Sequence, residues 1–171
     1  EFYLRLPHDQ LSFEAPGDGE VGPWSGRVFV RITFLDADEA RVGEASRNFD
    51  ISVVDEAAAL SHDRVQLLVI REPLDPRTHA VRVDVEDLNA RKRGLIYMIT
   101  KQHRRGTTQG DLLPPPFSAG GFGLSDLQFA WTIDRRATDP HFDKRGFEVV
   151  PNPSRAYGLY QDTLSAYCEV Y

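Results

Sequence analysis

Apolar and polar side chains alternate with a period of two residues along most of this chain. In residues 27–35, one side of the pattern holds Val28, Val30, Ile32 and Phe34, and the other holds Arg27, Arg31 and Thr33. Residues 81–86 repeat it, with three valines alternating with charged residues. Because successive side chains of a strand point to opposite faces of a sheet, the pattern predicts an all-β protein of antiparallel strands.

The spacing of these segments predicts how the chain is organised. Strand-like segments recur at roughly 8–12 residues, which predicts an immunoglobulin-like antiparallel β-sandwich over residues 1–103. Residues 104–123 lose the period and gather glycine and proline, which predicts a linker. Alternation resumes in residues 124–171, which predicts the first strands of a second, incomplete β unit. Residues 55–60 are predicted to form one helical turn.

Two segments of the second β unit carry local signals. Residues 127–133 alternate in strand fashion, although residues 124–126 could also cap a short helix; Trp, Phe and Thr favour the strand. Residues 143–146 (DKRG) lie between two apolar segments and offer a glycine for a positive φ, which predicts a hairpin.

Composition excludes some classes of function. The 171 residues carry a formal net charge of -6, which argues against a nucleic-acid or anionic-membrane partner. No apolar run reaches the ~18 residues that span a bilayer, so membrane insertion is not predicted. Cys168 is the single cysteine and has no partner for an internal disulfide. Since the chain starts in a strand pattern without Met, we expect a processed product or a piece of a longer protein.

The final segment suggests an interaction surface. Residues 164–171 alternate like a strand and lack a Pro or a charge run that would block further pairing. An unpaired edge is a template for a strand from another chain, so we predict a protein-interaction edge. Its candidate residues are Leu164, Ala166, Tyr167, Cys168, Val170 and Tyr171. Cys168 is expected to be a small buried apolar residue rather than a nucleophile.

Several carboxylates and histidines are candidates for chemical sites. Asp84 and Glu86 lie two apart on one strand face, about 7 Å from each other, which is a separation that glycosidase pairs use. Two turns gather possible calcium ligands, at Asp36, Asp38 and Glu39 and at Asp139, His141 and Asp143. A solvated polar surface is the favoured interpretation of all three groups. The histidines His8, His62, His79, His103 and His141 are scattered, so no metal or cofactor site is predicted.

Enzyme fingerprints such as GxSxG, HExxH, a Walker loop or GxGxxG are absent from the sequence. The chain is therefore predicted to be a non-enzymatic structural or protein-interaction module. The alternative is a carbohydrate-binding module that uses late aromatic residues, namely Trp131, Tyr157, Tyr160, Tyr167 and Tyr171; a glycosidase-like hydrolase is a further alternative.

Four segments together resemble a known family. Residues 124–127 (LSDL) with Ala130 and Ile133, 146–155 (GFEVVPNPSR) and 167–171 (YCEVY) look like the region upstream of the signature domain in bacterial GWxTD-domain proteins. Residues 84–94 (DVEDLNARKRG) are similar to the strand and turn that end the first sandwich there. The resemblance implies an exported bacterial protein of tandem β-sandwich modules and supplies no catalytic residues. The GWxTD motif is absent, and residues 75–79 (DPRTH) stand where the family has a Pro-Gly turn.

Overall fold

A computed structural model describes residues 1–17, 21–90, 104–112, 123–158 and 163–170. Strands account for 53% of these residues and helices for 5%, which confirms the predicted all-β, sandwich-like class built from antiparallel sheets. The chain separates into two compact units. The β2 unit, named after its strand β2 (Trp24–Leu35), comprises Leu6–Leu67 and Glu72–Pro114. The β7 unit, named after its strand β7 (Gln128–Asp134), comprises Glu1–Arg5, Leu68–Arg71 and Pro115–Tyr171.

The described strands are named in chain order. They are β1 (Phe2–Pro7), β2 (Trp24–Leu35), β3 (Arg41–Val53), β4 (Val65–Ile70), β5 (Ala80–Asp87), β6 (Arg104–Asp111), β7 (Gln128–Asp134), β8 (Asp143–Lys144), β9 (Phe147–Pro151) and β10 (Ser165–Tyr167). A 3₁₀ turn follows β1 at His8–Gln10, and the helix α1 spans Glu56–Ala59. Asp55 caps α1 by accepting a 2.7 Å hydrogen bond from the Ala58 N–H.

The β2 unit is organised around one antiparallel sheet with the strand order β3-β2-β5-β6. As the period of two predicts, β2 buries Val28, Val30, Ile32 and Phe34 on one side. Ala45, Ile51 and Val53 of β3 and Ala58 and Ala59 of α1 are buried as well. The opposite side of the sheet carries mostly polar side chains.

The linker predicted from residue 104 is wrong for its first eight residues. Residues Arg104–Asp111 form β6, which pairs antiparallel with β5 from Ala80↔Asp111 to Asp87↔Arg104. All eight residues are exposed. Apolar alternation does not predict this strand, because it has no apolar side chain to bury. The strand is defined by backbone hydrogen bonding to its neighbour instead. Residues 113–122 of the predicted linker lie outside the described residues.

The β7 unit contains a second antiparallel sheet, with the strand order β10-β7-β9-β8. Its centre is small: Ala130 of β7 and Val149 of β9 are fully buried. The predicted hairpin is present between β8 and β9, and its turn residues Arg145 and Gly146 have φ values of 53° and 89°. Two positive φ values suit a two-residue hairpin turn, and glycine adopts one of them without steric cost.

The compact units do not follow the predicted boundaries at residues 103 and 123. Strands β1 and β4 pair with each other in a two-stranded sheet, and the division between the units falls inside both strands. As a result, Glu1–Arg5 and Leu68–Arg71 belong with the C-terminal segment rather than with the N-terminal one. Sequence distance was a poor guide here because strand pairing joins residues that are far apart along the chain.

Candidate functional site

Strand β10 stands at the end of its sheet order, where the sequence predicted an interaction edge. Its inner neighbour is β7, with Ser165 opposite Ala130 and Tyr167 opposite Gln128. The pairing continues at an isolated bridge between Leu124 and Val170. In the part of the chain that the structure describes, no strand is paired with the other side of β10.

The exposed face of β10 is apolar. Leu164 and Val170 expose 60% and 53% of their surface, and Ala166 and Cys168 between them are exposed too. The intervening residues Ser165, Tyr167 and Glu169 are half-buried. We call the four exposed residues the apolar ridge.

The exposure of Cys168 corrects the prediction that it is a buried residue. Its neighbour Tyr167 lies on the covered face instead, where its hydroxyl donates a 3.1 Å hydrogen bond to the Glu169 carboxylate. A half-buried tyrosine needs a partner for its hydroxyl, and Glu169 supplies one on this side of the strand. The small apolar side chains therefore face the solvent. Tyr171, the last residue of the predicted edge, lies outside the described residues.

The backbone of the edge strand can be oriented from one contact. The Ser125 N–H donates a 2.8 Å hydrogen bond to the Glu169 carbonyl, so Glu169 directs its backbone groups toward the inner neighbour. Because backbone groups alternate in direction along a strand, Ser165 and Tyr167 point the same way, while Ala166 and Cys168 direct theirs outward. Ala166 and Cys168 thus combine exposed apolar side chains with backbone groups that point outward.

A polar cluster in the β7 unit was not predicted. The Glu1 carboxylate accepts hydrogen bonds from the Tyr3 hydroxyl and the Lys144 ammonium group, and from Arg71 Nε at 2.8 Å. Burial raises the pKa of Glu1, but the hydrogen bonds from Lys144, Tyr3 and Arg71 outweigh it and bring the pKa to about 2. Burial and the neighbouring Glu1 raise the pKa of Tyr3.

Lys144 lies between two aromatic rings in this cluster. Its Nζ is 5.7 Å from the ring centres of both Tyr3 and Tyr167, which is within the range of a cation–π contact. The three side chains line an open cleft of about 700 Å³ together with polar residues such as Gln128 and Asn152. No local motif could have revealed the cluster, since Glu1 and Lys144 are 143 residues apart.

The late aromatic residues that were candidates for carbohydrate binding do not form one surface. Tyr167 lines the cleft, whereas Tyr157 packs edge-on against Phe129 with 6.1 Å between ring centres. The Tyr157 hydroxyl is buried and has no hydrogen-bond partner among the described residues. Trp131 is half-buried and is not among the residues that line the cleft. Tyr160 and Tyr171 lie outside the described residues.

Asp84 and Glu86 share the polar side of β5 in the β2 unit, as the alternation predicted. Asp84 is only 8% exposed, accepts a 2.7 Å hydrogen bond from the Thr107 hydroxyl and lies 3.1 Å from the Arg105 guanidinium. The hydrogen bond from Thr107 and the charge of Arg105 lower the pKa of Asp84 against the effect of burial. A general acid needs the opposite shift, so Asp84 does not suit the proton-donating role of a glycosidase.

The aspartates that were considered as calcium ligands stabilise their own turns by accepting hydrogen bonds from backbone N–H groups. Asp36 Oδ1 accepts 2.9 Å hydrogen bonds from the N–H groups of Asp38 and Ala40. Asp139 Oδ1 accepts one of 2.8 Å from the His141 N–H, and Asp143 Oδ1 accepts one of 2.8 Å from the Gly146 N–H. Such bonds are the usual reason for aspartate in turns.

Within the described ranges, no group of three or more His, Cys, Asp or Glu side chains is arranged to hold a metal ion. His8 is buried, and its Nδ1 lies 2.9 Å from the Ala58 carbonyl oxygen. Its ring also packs at 5.5 Å from the Phe13 ring. His62 and His141 are exposed and contact one aspartate each.

No protein-family model, curated protein or solved structure matches the chain. The immunoglobulin-like assignment and the resemblance to GWxTD-domain proteins therefore stay predictions. Among the described residues, no helix has the length and apolar character needed to cross a bilayer.

Proposed function

We propose that this chain is a non-enzymatic, extracytoplasmic protein-interaction module that assembles through edge pairing of β10 with β10 of a second copy. The observation that carries the proposal is the apolar ridge on a strand whose Ala166 and Cys168 backbone groups point outward. Extracytoplasmic location rests on the resemblance to exported GWxTD-domain proteins alone.

The ridge is self-complementary about Tyr167. If two copies pair antiparallel with a two-fold axis at Tyr167, Leu164 of one faces Val170 of the other, and Ala166 faces Cys168. Every ridge residue then meets an apolar partner, as a symmetric dimer interface requires. The same register places the outward N–H and C=O groups of Ala166 and Cys168 opposite each other for hydrogen bonding.

The expected dimer is weak. A single strand pair buries less than the ~1,200 Å² of a standard stable interface, so association should depend on protein concentration. Sedimentation equilibrium on the chain and on Leu164→Lys tests this, because a charge within the ridge opposes both burial and pairing. Leu127→Lys is the matched control, since Leu127 is 61% exposed in the same unit but outside the ridge.

The register has a separate test by cross-linking. In the proposed dimer, a thiol introduced by Ala166→Cys lies opposite Cys168 of the partner copy, at the ~5.5 Å Cα separation that a disulfide tolerates. Mild oxidation should give a covalent dimer of Ala166→Cys and far less of the parent chain. A strictly monomeric chain, or equal cross-linking of Ala166→Cys and Ser165→Cys, would contradict the proposal.

The cleft of the β7 unit favours carbohydrate binding as a second candidate function. Tyr3 and Tyr167 place aromatic rings in its lining, and Gln128 places an amide group there, which together resemble the mix of apolar and polar contacts that sugars require. A glycan array on the parent chain and on Tyr3→Ala tests it. Absence of binding, or binding that Tyr3→Ala leaves unchanged, rejects this candidate.

A further inference from the structure

The polar side of the main sheet of the β2 unit gathers four arginines around an open cleft of about 620 Å³. They come from all four strands: Arg31 from β2, Arg41 from β3, Arg82 from β5 and Arg105 from β6. The alternation of each strand brings them to one side, which none of the strand segments reveals by itself. We call this surface the arginine cleft.

The arginines share few carboxylates. Arg31 and Arg41 both approach Glu44, at 3.9 and 3.1 Å. Arg82 and Arg105 both approach Asp84, at 4.0 and 3.1 Å. Four guanidinium groups therefore share two carboxylates at these contacts. Glu39 also lines the cleft, so its lining holds four guanidinium groups and three carboxylates, and positive charge is in excess.

Two of the four arginines lie beyond hydrogen-bond distance of the carboxylate they approach. The separations of 3.9 Å for Arg31 and 4.0 Å for Arg82 exceed the ~3.2 Å of an N–H···O hydrogen bond. The Nε of Arg31 is buried and has no acceptor among the described residues. A guanidinium has five N–H donors, so both side chains retain donors for a ligand.

Contacts within the protein restrict two of the four arginines, Arg31 and Arg105. The Arg31 guanidinium lies 5.4 Å from the centre of the Phe29 ring, a cation–π contact that restricts its position. Asp84 fixes the other side of the cleft, because Thr107 anchors its carboxylate with a 2.7 Å hydrogen bond. Restricted donors lose little conformational entropy on binding.

We infer that the arginine cleft binds a small ligand that carries a carboxylate, sulfate or phosphate group. Guanidinium groups match the planar edge of such oxyanions with paired hydrogen bonds. The net charge of -6 on the whole chain repels extended polyanions at long range, so a compact ligand fits this surface better than a nucleic acid. The cleft belongs to the β2 unit, and the inference is independent of the proposed pairing through β10.

Isothermal titration calorimetry with sodium phosphate, sodium sulfate and sodium glucuronate tests the inference, each at an ionic strength matched by chloride. We expect one-to-one binding of at least one of these anions. Arg41→Gln and Arg82→Gln should each weaken it about tenfold, as loss of a charge-assisted hydrogen bond does. Arg27→Gln is the control, because Arg27 lies on the same sheet, is paired with Asp50 at 2.6 Å and does not line the cleft.

Comparison of the three anions shows whether the cleft binds a carboxylate on a sugar or a tetrahedral anion. Binding of glucuronate alone identifies a sugar-borne carboxylate, and binding of phosphate or sulfate identifies a tetrahedral anion; both support the inference. If none of the three binds at tens of millimolar, or if Arg27→Gln weakens binding as much as the cleft variants, the inference is overturned. The Arg41 and Arg82 variants change exposed side chains on different strands, so a folding defect in one leaves the other as a test.

Discussion

Arg105 lies 3.1 Å from the Asp84 carboxylate across the boundary between β5 and β6. Thr107, the next residue on the same side of β6, donates a hydrogen bond to that carboxylate. Asp84 therefore ties a strand without apolar side chains to the sheet by side-chain contacts as well as by the backbone ladder. Burial of apolar surface contributes little at this edge, so the polar contacts matter more there.

Replacing Asp84 with asparagine should destabilise the chain by about 1–2 kcal/mol at pH 7, because a charged acceptor of hydrogen bonds is lost. The pKa of Asp84 is lowered in the folded state, so its contribution is present above the unfolded value of 3.8 and lost as the pH falls below it. Urea unfolding at pH 7 and near pH 3 should show a smaller difference between Asp84→Asn and the parent chain at pH 3 than at pH 7. Asp38→Asn, in an exposed turn, is the control, and equal effects of the two would contradict the role of Asp84.

Lys144→Gln should lower the free energy of unfolding by about 1 kcal/mol at pH 7, since the half-buried Glu1 carboxylate loses a charged partner. Folding lowers the pKa of Glu1 from 4.5 to about 2, so this stabilisation is present above pH 4.5 and declines toward pH 2. Urea denaturation across pH 2–7 measures it. Arg136→Gln, an exposed change in the same unit, should have little effect at any pH. A constant loss at all pH values would argue for a packing role of Lys144 instead.

Ile32→Ala should destabilise the chain by about 2–5 kcal/mol, because Ile32 is fully buried at the centre of β2 and its loss leaves a cavity. Val54→Ala, at a position 72% exposed, should change stability by less than about 0.5 kcal/mol. Chemical denaturation followed by tryptophan fluorescence compares the two. A small effect of Ile32→Ala would place the hydrophobic core elsewhere.

Cys168 should react with a thiol reagent in the folded protein at a rate near that of an unfolded control. The reason is its exposure on the apolar ridge, which leaves the sulfur accessible to solvent. A colorimetric thiol assay in native buffer should report one reactive group, because the chain has a single cysteine. If the thiol reacted only after denaturant was added, Cys168 would be buried as the alternation first suggested. Protection that grows with protein concentration would instead agree with pairing through β10.

The sequence predicted best those strands that bury apolar side chains. Strands β2 and β5 cover the alternating residues 27–35 and 81–86, and the hairpin of β8 and β9 is found where it was expected. Strand β6 was missed, because an edge strand with exposed side chains on both sides leaves no hydrophobic period to detect. The face of β10 was assigned wrongly, since apolar alternation marks two faces without showing which one the tertiary structure covers.

The candidate sites were harder to predict from the sequence than the strands were. The edge at β10 was predicted because alternation and the absence of blocking residues are local properties of the sequence. The arginine cleft and the cluster around Glu1 and Lys144 were not predicted, because their members come from different strands or from opposite ends of the chain.

The amino-acid sequence by itself determined the class of this protein, because a period of two forces side chains to opposite faces and thereby favours sheets over helices. Tertiary structure decided which strands are neighbours, which face of β10 meets solvent and which charges share a surface. Those features follow from pairing between distant segments, and pairing is set by the total free energy of the packed chain rather than by any short stretch of it.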